Sequence, residues 1–417
     1  MYSRWFIIFV TICLYFQQTK SEIRPVLINQ FNVPHANSVK PIRSLTNSTS
    51  WTLMITSYNI IPTATDYIYT VSNIEQKLTA NITPVVVTDQ INWPNGVIAA
   101  DSIAPQSLIV PSGFIIPGKT LGNIYYLDKT NRPIALVPDE KTSWYYHSAD
   151  FTDVDQDGFI DIVTGRANFP LLHTPHTELI WLKNPGGMNI TGPWNMSILL
   201  PQGGPEMDVQ FATVDGKHVL FSNSLLTRGL QMFWSLAEPY WNDPEQIRVR
   251  HIDSYLLQYA HVQYTIDLNG DQRRDLIATI SNDFDGLIVA YELPPSGHLF
   301  DGFFEKHILA GGFKPTVQAL GREAPGRSIP YQIISSAQRK KPIIVISGAD
   351  DGCVYVLEAV RDNDPKDWQY YMTTVYNSTG LTIGDISIED VDNDGHPELF
   401  IPATSEGRVL IYRLMDN

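Results

Sequence analysis

The chain has 417 residues, with 29 basic and 44 acidic side chains and a formal net charge of −15 at pH 7. With that balance and no basic stripe to neutralise phosphates, nucleic acid is excluded as a partner. Two cysteines, Cys13 and Cys353, are too few for a disulfide scaffold.

Arg4 precedes an apolar run from Trp5 to Phe16 and a small or polar stretch ending near Ser21. This is the layout of a secretory signal peptide, shorter than a bilayer span of about 20 residues. Residues 1–21 are therefore expected to leave as a signal, giving a secreted, extracellular chain without a membrane span. Cys13 leaves with it, and Cys353 stands in the apolar run to Leu357, where a buried thiol is expected. Acceptor triplets at Asn47, Asn81, Asn189, Asn195 and Asn377 permit glycosylation of an exported chain.

Ile23 to Phe31 reads as a strand. Beyond it one pattern recurs: an apolar run, a small-residue turn and a second apolar run, as in Asp275–Ser281 followed by Leu287–Leu293. Copies begin at residues 52, 107, 161, 218, 275, 342 and 398. Branched and aromatic residues, turn clusters and no sustained 3.6-residue period predict strands throughout. Units of about 40–50 residues rich in short strands suggest propeller blades. A further strand follows each hairpin in the middle of the chain, at Trp194–Leu200, Gln246–Ile252, Phe304–Leu309 and Trp368–Tyr376. The last hairpin has no successor, so Ile23–Phe31 is expected to complete its blade and close the ring. The expected fold is all-β: a seven-bladed β-propeller spanning residues 22–417 as one domain.

Three hairpins are preceded by acidic loops of one spacing, Asp153 to Asp161, Asp267 to Asp275 and Asp390 to Glu398. Side-chain oxygens at places 1, 3, 5 and 9 come from Asp153, Asp155, Asp157 and Asp161 in the first loop. Asp267, Asn269, Asp271 and Asp275 supply them in the second, and Asp390, Asp392, Asp394 and Glu398 in the third. Backbone carbonyls at place 7 belong to Phe159, Arg273 and His396. Such a set suits calcium, and carboxylates this close repel one another without a cation between them. About three structural calcium ions are expected. Gln272 stands where the other loops have glycine, and Arg273 and Arg274 lie beside it, so the middle site is expected to be weakest. Blade 4 has Thr213 in place of the first carboxylate and a truncated loop, and is expected to bind no metal.

Phe151–Asp161, Tyr264–Asp275 and Ile388–Glu398, each running into a hairpin, resemble the FG-GAP or VCBS repeats best known from the propeller of integrin alpha subunits. The resemblance implies calcium between strands of a blade and an adhesion-type role. A literal Phe-Gly-Gly-Ala-Pro string is absent, as are an integrin's stalk and membrane span.

His147 and His261 each lie six residues before the first aspartate of a loop, at equivalent places near the start of an inner strand; Gly384, beside Asp385, is the third equivalent. Together with Arg166 they are candidate acid–base groups at the channel mouth. His173 and His176 are two potential zinc ligands without a completing cluster. Trp144-Tyr145-Tyr146 and Trp234 to Trp241 could stack on sugars or pack between blades. The leading expectation is an extracellular protein- or glycan-binding module. The alternative is a carbohydrate-active lyase or dehydratase using His147, His261 and Arg166.

Overall fold

The computed structural model describes residues 22–416 except 45–48, 129, 139–142, 170–174, 188–189, 226, 228, 254–256, 283, 318–321, 334–339 and 379–380. The described residues form seven four-stranded antiparallel sheets, the blades of an all-β propeller. The inner strands, in blade order, are Ala36–Arg43, Ile98–Ala99, Asp150–Thr152, Val209–Val214, Tyr259–Tyr264, Ser328–Tyr331 and Ser387–Glu389. Every repeated hairpin supplies the second and third strands of a blade.

Three of the second strands, Leu276–Ile280, Ile343–Ser347 and Glu398–Ala403, are buried along their whole length, and the others over most of it. Both faces of such a strand meet a neighbouring blade, which explains unbroken apolar runs in place of alternation. Outer strands such as Tyr370–Asn377 show mixed exposure, because beyond them lies water. Packing between sheets is continuous. Phe221 and Met232 of blade 4 share a core with Leu276 and Val289 of blade 5.

The ring is joined where the chain's two ends meet. Ile23–Asn32 pairs antiparallel with Arg408–Asp416, placing Phe31 opposite Val409, with a bulge between Leu27 and Asn29. Phe31 also packs in the cluster that holds Leu53 and Ile55 of blade 1 beside Phe400 and Ile411 of blade 7. No helix among the described residues is long and apolar enough to cross a membrane.

Inner strands are stitched to their neighbours by polar side chains. Val209 donates its amide to Ser148 Oγ, Phe211 donates to Asp150, and Gln210 both donates to and accepts from the backbone of Tyr264. These bonds satisfy inner-strand groups that face no fifth strand.

Phe31→Ala is expected to cost about 3 kcal/mol, the usual loss for a buried phenylalanine. Urea denaturation measures it; a loss below about 1 kcal/mol would mean that the N-terminal strand adds little packing at the seam.

Candidate functional site

Residues just before or near the start of five inner strands meet at one end of the channel. His147 Nδ1 lies 3.9 Å from Asp208 Oδ1, and His261 Nδ1 lies 3.1 Å from Asp208 Oδ2. Arg327 spans two carboxylates, at 3.2 Å from Asp208 and 3.4 Å from Asp385. His261 Nε2 is 3.9 Å from Asp385, and the two imidazoles are 6.1 Å apart, centre to centre. A cavity of about 550 Å³ is lined by His147, Asp208, Arg327 and Asp385, and also by Lys40, Asp150, Gln210 and Glu389.

Burial decides the charge states. It pushes the His147 imidazole down to about 4; Asp208 pulls the other way, and His261 adds to the depression. His147 is thus neutral at physiological pH, and its buried Nδ1 has no hydrogen-bond partner. Burial alone would raise Asp208, but Arg327, His261 and His147 outweigh it and hold the carboxyl well below the usual range. The same balance, with Arg327 the main opposing charge, keeps Asp385 low. Asp150 has no such cation, so burial lifts it to about 6 despite amide hydrogen bonds from Phe211 and Phe151. The Asp208 carboxylate accepts from His261 Nδ1 and from the Val262 amide. That contact sets the proton on Nδ1 of His261 and leaves Nε2 facing Asp385.

Of the three residues expected at the mouth, His147 and His261 converge and Arg166 does not. Arg166 lies on the second strand of blade 3, is buried, donates from Nε to Glu178 at 2.7 Å, and stacks over Trp144 at 4.1 Å. Its place along the repeat was legible; the side of the sheet to which its charge turns was not. Arg327 supplies the guanidinium instead. Asp208 and Arg327 escaped sequence reasoning for separate reasons. Aligning Phe211 on Phe151 puts Asp208 beside the place of His147, but the truncated loop of blade 4 shifts any count made from the hairpin. Blade 6 has no acidic loop to set a register for Arg327.

Other candidates disperse. His173 lies outside the described residues, and His176 sits half exposed at 3.4 Å from Glu178. Trp144, Tyr145 and Tyr146 are buried, and Trp241 packs edge-on to Phe211, so these rings are blade core rather than a sugar platform. Trp234 stacks on Phe300. Cys353 is a free thiol, pushed up by burial. Asn81, Asn195 and Asn377 are exposed, whereas Asn47 and Asn189 lie outside the described residues.

The three acidic loops share one hydrogen-bond scheme. The place-1 carboxylates of Asp153, Asp267 and Asp390 accept the amides at places 5 and 6. Place 5 accepts the amide of place 7 in each, and the buried place-9 carboxylates accept from Val154, Leu268 and Val391. Gln272 adopts φ 74° where Gly158 and Gly395 adopt 91° and 86°, so the middle loop keeps the shape at the cost of strain on a side-chain-bearing residue. Asp153, Asp155 and Asp161 bring oxygens within 4.8 Å of one another, as do Asp390, Asp392 and Glu398. Asp155 Oδ1 is buried and accepts nothing. Desolvation raises Asp161 to about 6 and both Asp275 and Glu398 to about 8. This donor chemistry fits a hard cation.

The residues beside the loops differ. Lys183 contacts Asp155 and lies 2.9 Å from Asp157, and Arg413 lies 2.9 Å from Asp394 and 2.8 Å from Glu398. In the middle loop Arg273 turns away to Asp215 at 3.0 Å, and Arg274 sits over the Tyr264 ring. The arginines expected to crowd that site therefore have other partners.

No family model matches the chain, and no curated protein matches it. Solved structures similar to it include the AfRom2 CNH domain, at 9% identity and TM-score 0.44, covering 94% of this chain and 99% of that one. The periplasmic gluconolactonase PpgL of Pseudomonas aeruginosa is 12% identical, with TM-score 0.42 and coverage of 91% and 94%. The polysaccharide lyase Uly1 is 10% identical, with TM-score 0.41 and coverage of 92% and 90%.

His147 is expected to titrate near 4 in an NMR pH series, against about 6.5 for a free imidazole. Because the folded value is the lower one, the unfolded chain takes up this proton first. The native state therefore loses stability as pH falls from about 6.5 towards 4. Asp208→Asn removes an upward influence and moves His147 lower still; an upward move would contradict the geometry.

Proposed function

We propose that the channel mouth is an acid–base site and that the protein is a secreted, carbohydrate-active enzyme of the dehydratase or lyase type. One observation carries this reading: the neutral imidazole of His147 lines a roomy polar cavity together with Asp208, Arg327 and Asp385, beside a second imidazole that Asp208 holds. His147 is placed to accept a proton from carbon next to a carbonyl. The C–H electron pair becomes the new C=C bond as the neighbouring C–O bond breaks. The departing oxygen takes a proton from water in the cavity and leaves as water or an alcohol, while His261 holds the Asp208 carboxylate beside His147. Arg327 offsets charge that builds on the substrate oxygen.

Charge narrows the substrate class. Asp208, Asp385, Glu389 and Asp150 outnumber Arg327 and Lys40 around the cavity. Uncharged, carbonyl-bearing sugars suit this field better than polyanions. The test is a panel of such sugars followed by ultraviolet absorbance of the unsaturated product. His147→Ala is expected to lower turnover at least about 100-fold, within the range for a general base. Undiminished turnover in that variant, or none by folded wild type on any sugar, contradicts the proposal.

A second reading, the extracellular protein- or glycan-binding module, is favoured by a different surface. Half-buried Tyr58 and Phe114 stack on either side of buried Trp93, with centroids 3.9 and 5.3 Å apart. Ile60, Ile61 and Leu121 are exposed on the loops that carry these rings. Retention on a glycan array that Leu121→Asp abolishes would support this role; equal retention would remove it.

We also propose that the acidic loops hold calcium outside cells, in an FG-GAP or VCBS-type arrangement. Asp153, Asp155, Asp157 and Asp161 would hold it in blade 3, with equivalents at Asp267–Asp275 and Asp390–Glu398; bound, it would neutralise the carboxylates and fasten loop to hairpin. A cation bound only by the native loop at 100 times its Kd adds about 2.7 kcal/mol. Chelator is expected to lower the melting temperature. Lys183→Met, which removes the ammonium from among Asp155 and Asp157, is expected to enlarge that drop. No change in either protein contradicts the proposal.

A further inference from the structure

Away from the channel and the acidic loops, blade 5 carries a mixed nitrogen–oxygen cluster on its two outer strands, Gly286–Glu292 and Glu305–Phe313. Register places Glu292 directly opposite Glu305, and His307 opposite Ala290. Two carboxylates facing each other across a strand pair destabilise a sheet unless a cation lies between them. His307 is two residues beyond Glu305 and so projects from the same face. The three side chains bring one ligand atom each within 4.8 Å of the others.

The ring nitrogen is poised in an unusual way. His307 Nε2 lies 2.9 Å from Glu292 Oε1, yet it is buried and the contact lacks hydrogen-bond alignment. Glu292 Oε1 already accepts from Trp368 Nε1 at 3.0 Å. The Trp368 ring lies flat on His307, at 4.2 Å and 8°. One tryptophan from blade 6 therefore fixes both the carboxylate and the imidazole plane, the kind of outer support that orients metal ligands.

We propose that Glu292, Glu305 and His307 form a binding site for a first-row divalent cation of the zinc class, with water in the remaining positions. The imidazole selects against calcium, which takes oxygen ligands. Tetrahedral bond lengths of about 2.0–2.2 Å need ligand atoms roughly 3.4 Å apart, a contraction that exposed Glu305 can supply. Trp368 acts as a positioning residue and touches no metal.

The test is a titration of the full-length mature protein with Co²⁺ in excess calcium, read by visible absorption and by quenching of tryptophan fluorescence. One equivalent should produce the bands, and Zn²⁺ should abolish them. His307→Ala and Glu292→Gln should each remove the bands while leaving the melting temperature in calcium close to wild type. Trp368→Phe keeps a stacked ring but drops the indole donor, and should weaken binding about tenfold. Bands that survive in His307→Ala overturn the proposal. So does a folded wild type that gives none.

Discussion

A buried carboxylate in the middle of a ring constrains everything around it. Asp208 is buried at the end of the channel, and an unpaired charge there would be costly. It is held by His261 and a backbone amide of blade 5 and by Arg327 of blade 6, with His147 of blade 3 close by. Arg327 in turn reaches Asp385 of blade 7. The site exists only while blades 3 to 7 keep their places, so ring geometry and local charge are one problem.

The seam secures that geometry. Ile23–Asn32 and Arg408–Asp416 lie at opposite ends of the chain and pair along nearly their full length. Without this strand the last blade would expose Arg408–Asp416 as an unpaired edge. The loops of blades 3, 5 and 7 act further out, fastening hairpin to inner strand through carboxylates that burial has made reluctant to ionise. Lys183 and Arg413 already offset part of that charge in two of the three.

Much of this architecture was legible from period and chemistry. The hairpins lie where apolar runs flank small-residue turns, because strands buried on both faces must be continuously apolar. Ile23–Phe31 could be assigned because the final hairpin lacked an outer partner. Side-chain direction was harder to read. Arg166 and Arg327 are both arginines near strands, yet one stacks on Trp144 between blades and the other reaches the axis. Nothing local separates them. The choice depends on which strand of the blade carries the residue and on where carboxylates from other blades arrive. Asp208 pairs with a residue 119 positions away, a relation no repeat period encodes.

The channel site depends on Asp208 and Arg327 facing each other. A double-mutant cycle of Asp208→Asn and Arg327→Gln, read by urea denaturation, measures that relation directly. Coupling above about 1 kcal/mol is predicted, as for directly interacting buried groups. Additive effects, within about 0.3 kcal/mol, would show that the two side chains do not meet and would dissolve the site described above.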